Sequence, residues 1–356
     1  QENIMIINSQ KKLDLFKNYF NKKNFLCVDT EFERKKTYYS KLSIVTISDG
    51  VKFFIFDVLQ YPNHIEFLKK IFKSKKKIKI IHGGNQDIEI FLDKKINIEP
   101  YFDTQLAAGF LGLDRNISYA NLVKKYLNKK IDKTNQNQDW LKRPINKSQI
   151  NYLKKDVLYL KQIYLVQTKQ LKKNKKLNFA KEEFDLILNK IKNNNGINSK
   201  FKKKLGNQIY KNQNFLKLIK LRDKKSQKEN LPKNWVIKDE DIISMIKNKK
   251  YISLKKNNFF SNKEKVILIQ LLKNISSIEL KKNYNEIDIK ALEFFRYLVS
   301  KKYSIDSNLI ASKYDLIDYK YIKNKSKWRF KIFYNTFDKI IKGEKKFLLK
   351  SFKKLN

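Results

Sequence analysis

Asp29 and Glu31 stand two residues apart in Phe25-Leu26-Cys27-Val28-Asp29-Thr30-Glu31-Phe32, an apolar run that turns polar at its end. On a strand this spacing puts both carboxylates on one face and directs Thr30 to the other. Two acids side by side are costly to bury unless a cation neutralises them. Taken alone, the pair reads more simply as a strand end fraying into solvent. A third acid, Asp87, follows His82-Gly83-Gly84-Asn85-Gln86. The glycines allow a tight turn there, and a helix N-terminus favours an acid in any case. Tyr152 and Asp156 are four apart in a helical pattern and so share a face. By themselves they describe an amphipathic surface helix. Together the three signals point to metal chemistry. Hard cations such as Mg²⁺ take oxygen ligands and keep several waters. Two such ions about 4 Å apart activate a water and stabilise the leaving oxygen of a phosphodiester. A nearby tyrosine orients that water without having to ionise.

Positioning these groups requires a sheet. Leu42–Ser48 and Phe53–Val58 are strand-like, rich in β-branched and aromatic residues, with the turn dipeptide Asp49-Gly50 between them. Ile78–Ile81 is a fourth short apolar run. Helical periodicity is expected over Gln86–Leu92, Asp103–Leu111, Tyr119–Leu127 and one long stretch from Lys147 to about Leu171. An α/β domain therefore occupies residues 1–192. The polar segment Lys192–Ser199 is the linker, and only helical patterns follow it. A softer break at Lys281–Asn285 divides those patterns into units of 200–281 and 284–356.

Asp29-Thr30-Glu31-Phe32, His82-Gly83-Gly84-Asn85-Gln86-Asp87-Ile88-Glu89 and Tyr152-x-x-x-Asp156 resemble, in order, the three motifs of the DEDDy exonucleases. Thr37-Tyr38-Tyr39, Phe102–Ala108 and Asp139-Trp140-Leu141-x-Arg143-Pro144 resemble the ribonuclease D branch. The resemblance covers nearly all of residues 10–170. It implies a ribonuclease H-like fold, a mixed sheet flanked by helices. It also implies that Asp29, Glu31, Asp87 and Asp156 hold two divalent cations, Mg²⁺ or Mn²⁺, with Asp29 bridging them and Tyr152 bonding the attacking water. Three positions depart from the family pattern without removing a ligand. Thr46 stands where a glutamine is expected, Ser40 where a proline is common, and Gln138 where a small residue is usual.

The helical remainder carries a second resemblance. Leu221-Arg222-Asp223 with Asn230-Leu231-Pro232-x-x-Trp235-Val236-Ile237-x-Asp239 is similar to the helicase-and-RNase-D C-terminal domain, HRDC. Leu309–Leu316 with Lys327-Trp328-Arg329-Phe330 looks like a degenerate second copy. A plain helical brace for the catalytic domain is the alternative. None of the acid motifs lies there, so this part should set affinity, and a chain ending near Gly196 should still cleave short strands.

Composition admits this reading. Of 356 residues, 41% are hydrophobic and 13% aromatic, which supports folded domains. The net charge of +45 attracts polyanions. It comes from 74 Lys and only six Arg and is spread over both halves, so compositional drift toward lysine accounts for much of it. No apolar run approaches the roughly eighteen residues of a membrane span, and Ile4–Ile7 lacks the flanks of a signal peptide. A single cysteine, Cys27, excludes an internal disulfide and a cysteine zinc site and reads as core. Asp103 reads as a helix cap and His82 as structural. A cytoplasmic, monomeric 3′→5′ exoribonuclease acting on the 3′ ends of transfer-RNA precursors is expected. A single-stranded DNA exonuclease and a catalytically inactive nucleic-acid-binding module are the alternatives.

Overall fold

The structure is a computed structural model that describes residues 3–131, 138–193, 199–275, 286–317 and 326–337. Six strands form one mixed sheet: β1 (Ile4–Ile7), β2 (Phe25–Glu33), β3 (Lys41–Ser48), β4 (Phe53–Asp57), β5 (Ile78–Ile81) and β6 (Tyr101–Asp103), in the spatial order β1-β4-β3-β2-β5-β6. The pairs β2–β3 and β3–β4 are antiparallel, and the remaining pairs are parallel. The expected strands are present within a residue or two. The hairpin turn holds because Gly50 adopts φ +85° and Asp49 accepts the N–H groups of Val51 and Lys52, both at 3.0 Å. Ile4–Ile7, a run of only four residues, joins the sheet as an added edge strand.

Helices cover both faces: α1 (Gln10–Asn21), α2 (His64–Phe72), α3 (Asn85–Asp93), α4 (Thr104–Phe110), α5 (Tyr119–Leu127), α6 (Lys147–Leu158), α7 (Leu160–Lys173) and α8 (Leu177–Lys192). The single long helix expected from Lys147 is two, broken at Tyr159, whose N–H donates to Tyr119 Oη at 2.9 Å instead of continuing the ladder.

The helical remainder divides by its cores. Residues 201–275 close a core of their own around Phe201, Phe215, Ile242 and Leu272. Residues 292–317 and 326–337 share the core of the sheet domain, where Leu309, Trp328 and Phe333 sit in one cluster with Leu106, Phe110 and Phe184. The Trp328 ring meets Phe110 edge-on at 5.0 Å, and Asp306 N–H donates to Gly109 O at 2.8 Å. Of the expected linker Lys192–Ser199, Lys192 closes α8 and Ser199 opens the next helix, while 194–198 lie outside the described residues, as does the softer break at 281–285.

Candidate active site

Strand β2 pairs with β5 only from Phe25 to Cys27, so by Asp29 it has parted from that neighbour and runs on beside β3 alone. The acids lie on the part of the strand beyond this parting. Asp29 and Glu31 project from one face there, as their spacing requires. Opposite Asp29 across the ladder is Thr46, whose Oγ1 is buried with no hydrogen-bond partner among the described residues.

Helix α6 supplies the next two groups. Its start is set by a capping box between Asn146 and Gln149. Leu153 packs with Ile44, Ile55 and Trp140, and Val157 with Cys27 and Ile80. With that face buried on the sheet, Tyr152 and Asp156 lie along the flank over β2. One oxygen from each of Asp29, Glu31 and Asp156 falls within 4.8 Å of the others. Tyr152 makes a side-chain hydrogen bond to Asp156, and its ring lies 5.7 Å from that of Trp140.

Asp87 stands in the first turn of α3 and is held differently. Its carboxylate accepts from the hydroxyl of Thr30. Thr30 does point away from the Asp29–Glu31 face, and what it points to is the fourth acid. The approach to α3 is clamped by Asp103, which accepts Gly83 N–H and Gly84 N–H at 2.9 and 3.1 Å while capping α4 through Gln105 and Leu106 N–H. Gly83 adopts φ +62°, and a Cβ on Gly84 would stand 2.4 Å from Ile81 Cδ1. His82 spends both ring nitrogens on structure, at 2.9 Å from Thr104 Oγ1 and 3.1 Å from Ile117 O. Cys27 is buried core.

The Asp139–Pro144 segment backs this arrangement. Arg143 forks Asp57 at 2.6 and 2.7 Å and also reaches Ser43 Oγ and Trp140 O. That clamp sets Trp140 behind Tyr152. Spacing shows that an Arg follows Trp140 by three, but not that its partner is 86 residues earlier.

The electrostatics are those of a site built for positive charge. Burial, then the charges of Asp156, Asp87 and Glu31, holds the Asp29 carboxyl well above its usual range. Burial and the charges of Asp156 and Asp87 push Glu31 up to about 9. Burial raises Asp87 as well, against the bond from the Thr30 hydroxyl. The Tyr152 phenol is driven far above its normal range by burial and then by Asp156, so it stays protonated and can donate. The converging carboxylates of Asp29, Glu31 and Asp156, with Asp87 outside that group, form an all-oxygen donor set that fits a hard divalent cation. Such a cation would relieve the mutual repulsion that otherwise forces protons onto the cluster.

Residues 4–172, which hold this sheet and its carboxylates, match the model of a family described as 3′-5′ exonuclease. The chain is similar in sequence to ribonuclease D of several bacteria. It is 30% identical over 226 residues to ribonuclease D of Bartonella henselae, covering 62% of this chain and 55% of that one. It is 31% identical over 226 residues to ribonuclease D of a Shewanella species, covering 62% and 58%. In these matches the chain spans a little over half the length of its relatives. The fold extends further. The crystal structure of Escherichia coli RNase D superposes with a TM-score of 0.71 at 22% identity, covering 96% of this chain and 99% of that one. The catalytic core of RRP6 from Trypanosoma brucei superposes with a TM-score of 0.51 at 19% identity, covering 77% and 80%. Among the described residues no helix is long and apolar enough to cross a membrane.

Proposed function

We propose that this protein is a 3′→5′ exoribonuclease that removes nucleotides hydrolytically from the 3′ ends of RNA, with transfer-RNA precursors as its substrate class. It acts as a cytoplasmic monomer with two divalent cations, Mg²⁺ or Mn²⁺. The observation that carries this reading is the convergence of Asp29, Glu31 and Asp156 beneath the Tyr152 hydroxyl, with Asp87 alongside. The ribonuclease D relatives favour RNA as the substrate. The E. coli protein of the same fold is described as an exoribonuclease involved in structured RNA processing.

Asp29, Glu31, Asp87 and Asp156 form the ligand set. The bound cations would lower the pKa of a water and offset charge at the leaving oxygen. The chain's own groups do the rest. Thr30 fixes Asp87, the α6 capping box fixes Asp156, and Tyr152 donates its hydroxyl toward the water-binding side of the cluster. The raised phenol pKa makes Tyr152 an orienting donor and excludes it as a base at neutral pH. The chain is organised as a nuclease unit of 1–192, a first HRDC-like unit of 200–281 and a degenerate second of 284–356. Lysine contacts position the RNA backbone without reading sequence.

The test offers 3′-extended RNA and matched single-stranded DNA with Mg²⁺ or Mn²⁺ and follows product length. Stepwise shortening of the RNA from its 3′ end is expected. Preferential shortening of DNA would move the assignment to a DNA exonuclease. Binding without any product would make the chain an inactive nucleic-acid-binding module.

A further inference from the structure

Residues 34–40 join β2 to β3 and carry Arg34-Lys35-Lys36-Thr37-Tyr38-Tyr39-Ser40. The loop leaves β2 about 7 Å along the strand from Glu31, two residues at ~3.3 Å each. It is also where the first helical unit touches the nuclease domain. The Tyr38 hydroxyl donates to Asp223 Oδ1 at 3.0 Å and accepts from Gln227 Nε2 at 3.0 Å, while Lys233 Nζ sits 5.4 Å from the Tyr38 ring. Tyr39 is pinned at both ends of its peptide. Its N–H donates to Asn230 Oδ1 at 3.3 Å, and its carbonyl accepts from Thr37 Oγ1 at 2.7 Å.

The backbone of Tyr39 is therefore fixed, yet its side chain is 42% exposed, braced edge-on by Tyr38 with ring centroids 4.8 Å apart. Two residues beyond Lys233, on the helical side of the same contact, Trp235 is 54% exposed. Lys35, Lys36 and Lys41 are exposed around the loop. Rigid exposed rings among lysines, beside a site that takes the end of a polyanion, have the chemistry of a base-stacking surface. Asn230 holds the Tyr39 backbone, and Asp223 and Gln227 hold the Tyr38 hydroxyl and so the ring that braces Tyr39, which leaves the Tyr39 ring face as the feature on offer.

We infer that Tyr39 and Trp235 form a stacking platform for bases of single-stranded RNA upstream of the 3′ end in the active site. One ring comes from the nuclease domain and the other from the helical unit latched to it. This rests on the nuclease reading of the acid cluster. Lysines contact the phosphates and the two rings take the bases, so recognition is tolerant of sequence.

The test uses the full chain and a dodecamer of oligoadenylate RNA in EDTA, which binds without being cut. Trp140 and Trp328 are buried, so fluorescence quenched by the RNA reports Trp235. Saturable quenching is expected. Tyr39→Ala should weaken binding at least about tenfold, within the roughly 5- to 150-fold range of one lost stacking contact, and Tyr39→Phe should restore it. With Mg²⁺ present, the ratio of kcat/KM on the dodecamer to that on a trinucleotide should fall about tenfold in Tyr39→Ala. Absence of quenching, or an unchanged dissociation constant and ratio in Tyr39→Ala, overturns the platform. Quenching by RNA in a wild-type protein that cuts no RNA with any metal overturns the nuclease reading and leaves the platform standing.

Discussion

Thr30 and Asp87 are joined across the strand edge: the Thr30 hydroxyl donates to the Asp87 carboxylate. The residue between the two strand acids, on the opposite face of the strand, thus anchors the fourth acid from a helix 57 residues later. Thr30→Val keeps the shape but deletes the side-chain donor to a charged acceptor, a contact worth about 1.5–3 kcal/mol. We expect Thr30→Val to need roughly ten- to a hundredfold more Mg²⁺ for half-maximal hydrolysis, and Thr30→Ser to restore the wild-type requirement. An unchanged metal titration for Thr30→Val would show that Asp87 is held by its helix alone.

Neutralising a ligand should separate stability from activity. Glu31 keeps its proton up to about pH 9 in the folded protein, against an ordinary carboxylate value of 4.5 in the unfolded chain. Between these pH values the folded state binds the extra proton, so stability falls as pH rises. Without divalent cations the melting temperature should therefore drop between pH 5 and pH 8, and added Mg²⁺ should reverse the drop by binding the folded state. Asp29→Asn and Asp156→Asn should abolish hydrolysis while raising Tm in EDTA. Near-normal turnover in either variant would remove that residue from the ligand set.

Tyr152→Phe keeps the ring against Trp140 and removes only the hydroxyl. Positioning effects of this kind are worth roughly 10²- to 10⁴-fold in rate, so we expect a loss in kcat of that order with little change in the Mg²⁺ requirement. Because the phenol pKa is raised, the wild-type rate should show no loss of activity near pH 10 from Tyr152 ionisation. A variant weakened only in metal affinity would assign Tyr152 to holding Asp156.

The nuclease half was legible in the sequence because its signals are local. Strand alternation places Asp29 with Glu31, helical spacing places Tyr152 with Asp156, and Asp49-Gly50 announces its own turn. Long-range partners were not legible. Nothing in the pattern tells that Asp103, a helix cap by its sequence, also clamps Gly83 and Gly84, or that Arg143 reaches back to Asp57. The charge count also hid a division of labour. All six arginines donate to carboxylates or backbone carbonyls within the protein, Arg34 forking Glu89 and Arg222 reaching buried Asp239 among them. On the proposed reading, phosphate contact is thereby left mainly to lysine.

The last expectation concerns the tail. Sequence alone suggests that a chain ending near Gly196 still cleaves short strands, since every acid motif precedes that point. The shared core argues otherwise. Such a chain would expose Leu106, Phe110 and Phe184, which Leu309, Trp328 and Phe333 now cover. It would also leave Glu183 without Arg329, which forks it at 2.5 and 2.7 Å, and without Trp328 Nε1 at 3.1 Å. Glu183 is largely buried, and losing one partner of a buried ion pair costs about 3–5 kcal/mol. Arg329→Ala in the full chain should therefore lower the urea midpoint by an amount corresponding to about 3 kcal/mol or more. Arg329→Lys should recover only part of this, because an ammonium cannot fork the carboxylate while also holding the Leu309 carbonyl. The truncated chain should aggregate or melt at low temperature whether or not RNA is present. A monomeric, cooperatively folding truncation with an unchanged urea midpoint would show that the nuclease domain closes its core without residues 292–337.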